Sequence, residues 1–475
     1  GNMLYVDAVY GNDGTGTVDR FDLPYLTLAA AKAAASSGDL VHVGPGTYTI
    51  PSNISKNGVN WYFEQGATVT MVGDIADQVF SDVSGAMSFS VGGYGTFIQM
   101  STSAGPDIVD TVRVVNPLSN IEITCHAIIN EQETVTGGGS AVRQTAGTLR
   151  INANRIVGIR SVSVWWDDGD LFIECPDIAA EEIGSGPAIY TFCPAEAVGK
   201  LWVNTSNVTC DDIENNPAIL LGGGADTMAR VWITAQEVRG EGYGIIAQEC
   251  WNYLKCMKIS GGYVAVSLSG GHNWIDSQKV SGGELGGPIV YIDALGEHYV
   301  RTSNVTESGC TSSIIRIGTS SGSVVDLILG SVLASSTNID VISFVNNSGE
   351  IRISDTDVIN TVTGTSGSPM SFNGGTSPIQ IRNVKLSALP GNDGVISNTT
   401  SVILASGCST DGPLGTGVTA TGDLFYDDGT DPSGKVATGN ADGTWSWAAP
   451  SGGDVSSVAG RTGDVVITAS DLADF

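Results

Sequence analysis

One short phrase recurs along most of this chain and limits what it can fold into. Its cleanest copy is Leu201-Trp202-Val203-Asn204-Thr205-Ser206-Asn207-Val208. Leu201 and Val203 alternate with larger or polar neighbours, as a strand with one buried face requires, and Val208 closes the pattern. The phrase returns as Ile121, Ile123, Cys125, Ile128; as Leu149, Ile151, Ala153, Ile156; as Leu171, Ile173, Cys175, Ile178; and as Val231, Ile233, Ala235, Val238. Weaker copies close at Ile259, Val280 and Val305, and clean ones at Val332, Val358 and Leu386. Successive closing residues lie 21 to 30 residues apart. A period in that range marks stacked units, none of which buries its apolar face alone, and it is too short for a propeller blade of about 40 residues. No helical stripe separates the copies, so the period predicts a solenoid of β-coils.

A second register supports this reading. Gly186-Pro187-Ala188-Ile189-Tyr190 and Asn216-Pro217-Ala218-Ile219-Leu220 follow Ile178 and Val208 at equal distances. Gly287-Pro288-Ile289-Val290-Tyr291 and Ser368-Pro369-Met370-Ser371-Phe372 read as the same strand in later coils. Proline opening a strand removes no ladder donor that the sheet needs. Each coil therefore shows two strands, and a third, shorter one is expected without a legible signature.

At 475 residues, length alone suggests about three domains, but a repeat overrides that prior. A hydrophobic share of 41% against 15% charged residues supports one long core. A net charge of -29 argues against partners that need a basic footprint: bare nucleic acid and anionic membrane surfaces. No apolar run approaches the 18 or so residues of a membrane span, so no membrane insertion is expected. Gly1 and Asn2 stand ahead of Met3 like an added remnant, so the missing leader pattern carries little weight. Cys125, Cys175 and Cys256 share one repeat position with Ala153, Ala235, Thr205 and Ser277, a position that wants a small buried side chain. No Cys/His spacing suggests zinc. The eight cysteines read as reduced, which suits folding in a cytoplasm.

The N-terminus has a different texture. Leu4-Tyr5-Val6 reads as a strand and Thr27 as the cap of a helix over residues 28–35, with Gly38 placed to end it. A solenoid's first coil exposes its core, and this alanine-rich helix is a candidate lid. Tyr5-Val6-Asp7, Gly11-Asn12-Asp13-Gly14-Thr15-Gly16, Pro24-Tyr25-Leu26-Thr27-Leu28 and Gly44-Pro45-Gly46-Thr47-Tyr48 together resemble the opening segment of pectate-lyase-like right-handed parallel β-helices. The resemblance covers roughly the first 50 residues. It implies an all-β solenoid of that type with an N-terminal capping helix. Enzymes and inert fibres share this fold, and no calcium-binding Asp set with a paired Arg base matches the lyase pattern.

From about Gly407 the coil phrase is absent. Leu424, Phe425, Tyr426, Trp445 and Trp447 suggest a small β-structured unit. The stretch Val455-Ser456-Ser457-Val458-Ala459-Gly460-Arg461-Thr462-Gly463-Asp464, with its alternating strand and its Ser470-Asp471-Leu472 end, resembles a short module of bacteriophage tail fibres. That resemblance implies a homotrimer wound around one axis. The expected organisation is a cap with the first coils over 1–58, a parallel β-helix over 59–408 and a trimerisation or attachment tail over 409–475.

Two polar features stand out. Aligning the repeats stacks Glu181 on Asp211 and Glu182 on Asp212, with Glu241 as a third rung. Neighbouring strands lie about 4.8 Å apart, so three readings are open: a solvated acidic edge, a bound cation such as Ca2+ on Asp211, Asp212 and Glu241, or a catalytic carboxyl pair at the roughly 5 to 9.5 Å of glycosidases. The second feature is Trp165-Trp166-Asp167-Asp168. Adjacent aromatics on a strand face opposite sides, so one of them meets solvent, where it stacks on a sugar, or lines an intersubunit seam. His298 occupies a core position and reads as a buried, satisfied residue. No other cofactor is implied.

The combined reading is a virion structural protein of the tail-fibre or tailspike type, made in a host cytoplasm and carried on the virion tail. It would attach to a host-surface polysaccharide or dock on other virion proteins. The alternative on the same scaffold is a polysaccharide depolymerase, a hydrolase or lyase. A secreted polysaccharide lyase is disfavoured by the tail and the cysteines.

Overall fold

The computed structural model describes residues 1–72, 77–101, 110–132, 139–182, 186–212, 216–223, 228–307, 309–334, 340–360, 368–375, 379–387, 395–397, 403–406, 408–410, 424–426, 435–439 and 445–448. These are nearly all strand, with a single helix over Leu28–Ala34. The strands form two long parallel sheets, of 25 and 13 strands, an arrangement compatible with a β-solenoid. None of the described helices is long and apolar enough to cross a membrane.

The repeat phrase becomes vertical columns of side chains. Ile123, Ile151, Ile173, Val203, Ile233, Leu254, Ile275, Val300, Leu327, Ile353 and Ile381 pair in one unbroken register. Towards the N-terminus the same column continues through Val91, Trp61 and Val41 to Leu4. The closing residues, from Ile128 to Leu386, form a second column. Both columns are buried along their length. Each full burial of a Leu, Ile or Val contributes about 1.5–3 kcal/mol, and each rung satisfies the apolar faces of the two beside it.

The phrase turns a corner, broken into two strands in two rungs and carried by one continuous strand, such as Arg230–Gly240, in the others. In one rung, strands Asp170–Glu174 and Asp177–Glu181 flank Cys175-Pro176; in the next, Lys200–Asn204 and Asn207–Cys210 flank Thr205-Ser206. The corner column Cys125, Ala153, Cys175, Thr205, Ala235, Cys256, Ser277 is buried throughout, as expected for small side chains where the wall folds inward. All eight cysteines are free and buried. The proline strand is the third strand of each rung and builds the 13-stranded sheet. Ile189 pairs with Ile219, in line with the repeat. In the last copy it is Met370, one residue after Pro369, that joins this column through Ile342 and Ile315 to Val290. That copy is offset by one residue from the pattern read around the prolines.

The helix is one residue shorter than its sequence pattern. Thr27 Oγ1 accepts from Ala30 N at 3.2 Å, and Leu28 and Ala31 are buried. Its C-terminus is not closed by Gly38. Lys56 Nζ donates to the carbonyls of Lys32 (2.7 Å) and Ala35 (2.5 Å) instead, placing a cation on carbonyls that the helix leaves unpaired. Gly38, with φ 93°, serves the following turn.

One buried column changes character midway. Where Leu201 and Val231 precede and Val325 follows, three consecutive rungs carry Asn252, Asn273 and His298. Asn252 Nδ2 donates to Asn273 Oδ1 at 2.8 Å. Asn273 Nδ2 meets His298 Nδ1 at 3.0 Å and Gly270 O at 2.6 Å. Beyond the repeat, Ser409–Thr410 pairs in parallel with Lys385–Leu386 and with Phe425–Tyr426. Strands Leu424–Tyr426, Lys435–Gly439 and Trp445–Ala448 then pair antiparallel. The segment from Val455 to Leu472 that resembles a tail-fibre module lies outside the described residues.

Candidate functional site

Strand alternation sends every second residue of the long sheet outward. In the first strand of each rung the central outward positions are Arg150, Phe172, Trp202, Trp232, Tyr253, Trp274 and Tyr299, each paired in register with the next. Six aromatics therefore occupy six consecutive rungs, a column of about 24 Å at about 4.8 Å per rung. Two of the five neighbouring pairs stack, Trp232 on Tyr253 at 5.9 Å and Trp274 on Tyr299 at 5.1 Å, while the Arg150 guanidinium lies 5.0 Å over Phe172. Trp274 keeps 48% of its surface exposed, far more than any core aromatic.

A groove of about 620 Å³ runs beside this column. One wall is the next outward column, Asn152, Glu174, Asn204, Thr234, Lys255 and Asp276. The corner residues Cys175, Thr205, Ala235, Cys256 and Ser277 form its floor. The position that wants a small side chain thus shapes a concave surface. Burial pushes the Cys175 and Cys256 thiols up to about 12, so the floor is neutral and unreactive. A second hollow of about 310 Å³ reaches Phe172 and Trp202 from the N-terminal side. Aromatic faces beside amide, hydroxyl and charged groups can stack on sugar rings while hydrogen-bonding their hydroxyls.

The residues singled out in the sequence lie elsewhere. Trp166 is fully buried, with Nε1 donating to Gly169 O at 3.1 Å. Trp165 faces outward on the shorter sheet but is covered: the Arg143 guanidinium sits 4.4 Å over its ring and Tyr190 meets it edge-on at 4.7 Å. Its Nε1 donates to Asp167 Oδ1 at 2.6 Å. Asp168 is a turn fastener, accepting from Gly199 N at 2.9 Å one rung on. Burial raises the Asp167 carboxyl, against opposing contacts from Trp165 and Arg143. In the same region burial pushes Asp110 up to about 6, although Ser140 donates to it from both N (2.9 Å) and Oγ (2.6 Å).

The acidic ladder is interleaved with arginine. Glu181, Asp211 and Glu241 do follow one another, since Asp211 N bonds Ala180 O and Glu241 N bonds Cys210 O, each at 3.1 Å. But Glu181 pairs with Arg155, Glu182 with Arg160 and Glu241 with Arg239. Asp212 turns inward and accepts from Asn216 Nδ2 at 2.7 Å, so Glu182 and Asp212 occupy different environments. Among the described residues no group of three or more His, Cys, Asp or Glu side chains is arranged to hold a metal.

No family model, curated protein or solved structure matches this chain. The functional reading therefore rests on its own surface. The aromatic column carried one signal that was present in the sequence: the residue between the two apolar positions of the phrase is Phe172, Trp202, Trp232, Trp274 or Tyr299 in copy after copy.

Proposed function

We propose that the chain is a virion structural protein of the tail-fibre or tailspike type, built on a right-handed parallel β-helix, that attaches to a host-surface glycan. The aromatic column beside the corner groove carries this reading. It offers about 24 Å of stacking surface, long enough for several sugars of an extended polysaccharide lying along the rungs. Flanking polar residues on both sides favour a sugar over a dry seam between subunits, whose core is depleted in charge. Homotrimerisation through the segment after residue 408 belongs to the same proposal, on the resemblance of that segment to tail-fibre modules.

Attachment fits this surface better than cleavage. The groove wall offers the carboxylates Glu174 and Asp276, four rungs or about 19 Å apart, whereas glycosidase carboxyl pairs stand about 5 to 9.5 Å apart. The depolymerase alternative draws on the raised carboxyls of Asp110 and Asp167, but Asp110 is fully buried and hydrogen-bonded to the next rung. The test is binding of purified capsular polysaccharides and lipopolysaccharides to wild type, Trp232→Ala and Trp274→Ala, with released oligosaccharide assayed in parallel. Saturable binding lost in both variants, with no product released, is the expected result. Released product would favour the depolymerase, and unchanged binding in both variants would remove the column from the site.

A further inference from the structure

On the outward face one column further from the groove, Lys200 and Arg230 are register partners on adjacent rungs. Each sits two residues before a tryptophan of the aromatic column, Trp202 and Trp232, and both are exposed. Like charges directly opposite on neighbouring strands are destabilising, and this pair stands in a chain with 50 acidic residues against 21 basic ones. Other arginines here have found carboxylates: Arg155, Arg160, Arg239 and Arg352 all sit in ion pairs. Among the described residues the side chains of Lys200 and Arg230 make no ion pair, hydrogen bond or ring contact. This holds even though Asp170 is the register partner of Lys200 on its other side.

We infer that Lys200 and Arg230, beside Trp202 and Trp232, form a subsite for a carboxylate-bearing sugar, a uronate unit of the bound glycan. The inference rests on the attachment reading above and names the chemistry of its ligand. The planar fork of Arg230 matches a carboxylate in two-point fashion, and Lys200 adds a point charge one rung away. The two indoles supply the stacking faces. An anionic sugar seated there relieves the repulsion between the two cations, neither of which is held in an ion pair; Asp170 stands one rung from Lys200 and two from Arg230.

The experiment uses the full chain and a panel of uronate oligosaccharides: oligogalacturonate, oligoguluronate and hyaluronan fragments. Each is paired with the same oligosaccharide after carboxyl reduction to the neutral alcohol. Tryptophan fluorescence and calorimetry report binding. At least one uronate form is expected to bind tenfold or more tightly than its reduced counterpart, the preference weakening as salt rises. Lys200→Ala/Arg230→Ala should erase that preference while the neutral form binds as before, and melting should not fall, because both side chains are exposed and their mutual repulsion is removed. Equal binding of charged and reduced forms, with Trp232→Ala abolishing both, overturns the subsite and leaves the attachment reading standing. If no oligosaccharide in either form binds while a capsular polysaccharide or lipopolysaccharide does, the subsite falls and attachment stands; if those fail to bind as well, both readings fall.

Discussion

Asn273 and His298 meet at 3.0 Å between Nδ2 and Nδ1, in a core column that is aliphatic before Asn252 and after His298. Burial, with a smaller repulsion from His272, pushes the His298 pKa down to about 4 from an ordinary 6.5. The folded state therefore holds this ring neutral while the unfolded chain takes up a proton below pH 6.5. Its contribution is fully present above that pH and is lost as the pH falls towards 4, by roughly 3 kcal/mol at most. Melting of wild type should drop between pH 7 and 4.5 more than that of His298→Asn, which cannot titrate. Parallel curves for the two proteins would show that His298 is not the group responsible.

Val203 lies in the central buried column between Ile173 and Ile233. Val203→Asp places an unpaired carboxylate there at a cost of several kcal/mol. Loss of soluble protein is expected. A normal yield with normal melting would contradict the inward register.

Trp61 and Trp274 separate the core from the binding face. Trp61 is 1% exposed and stacks on Phe63 at 6.0 Å, so Trp61→Ala should cost about 3–5 kcal/mol. Trp274 gives up only partly covered surface and one stacked neighbour, so Trp274→Ala should cost about 1 kcal/mol. Denaturant midpoints at equal m-value measure both.

Arg155, Arg160 and Arg239 already sit against the acidic edge. Millimolar calcium or a chelator should leave the melting temperature unchanged, and Asp211→Asn should behave as wild type. A calcium-dependent rise lost in Asp211→Asn would restore the cation reading of Asp211, Asp212 and Glu241.

Sedimentation of the full chain against one ending at Cys408 tests the proposed trimer. The full chain should run at three times the protomer mass and the shortened one as a monomer. A monomeric full chain would refute it.

The repeat, the inward columns and the small corner residues were all readable in the amino-acid order. The reason is that burial constrains each of those positions separately, so Val203 or Cys175 announces its environment within its own rung. The corner itself was hidden because Thr205 or Cys175 continues the apolar alternation through the bend, and in most rungs, as in Arg230–Gly240, the strand itself runs through it. What only the tertiary structure decided is which residues become neighbours. Glu181 lies 26 residues from Arg155, and nothing near it in the chain marks that arginine as its partner. Phe172, Trp202, Trp232 and Trp274 are each unremarkable outward residues of a half-buried strand. They become a continuous surface only because parallel pairing places every rung in register about 4.8 Å above the last.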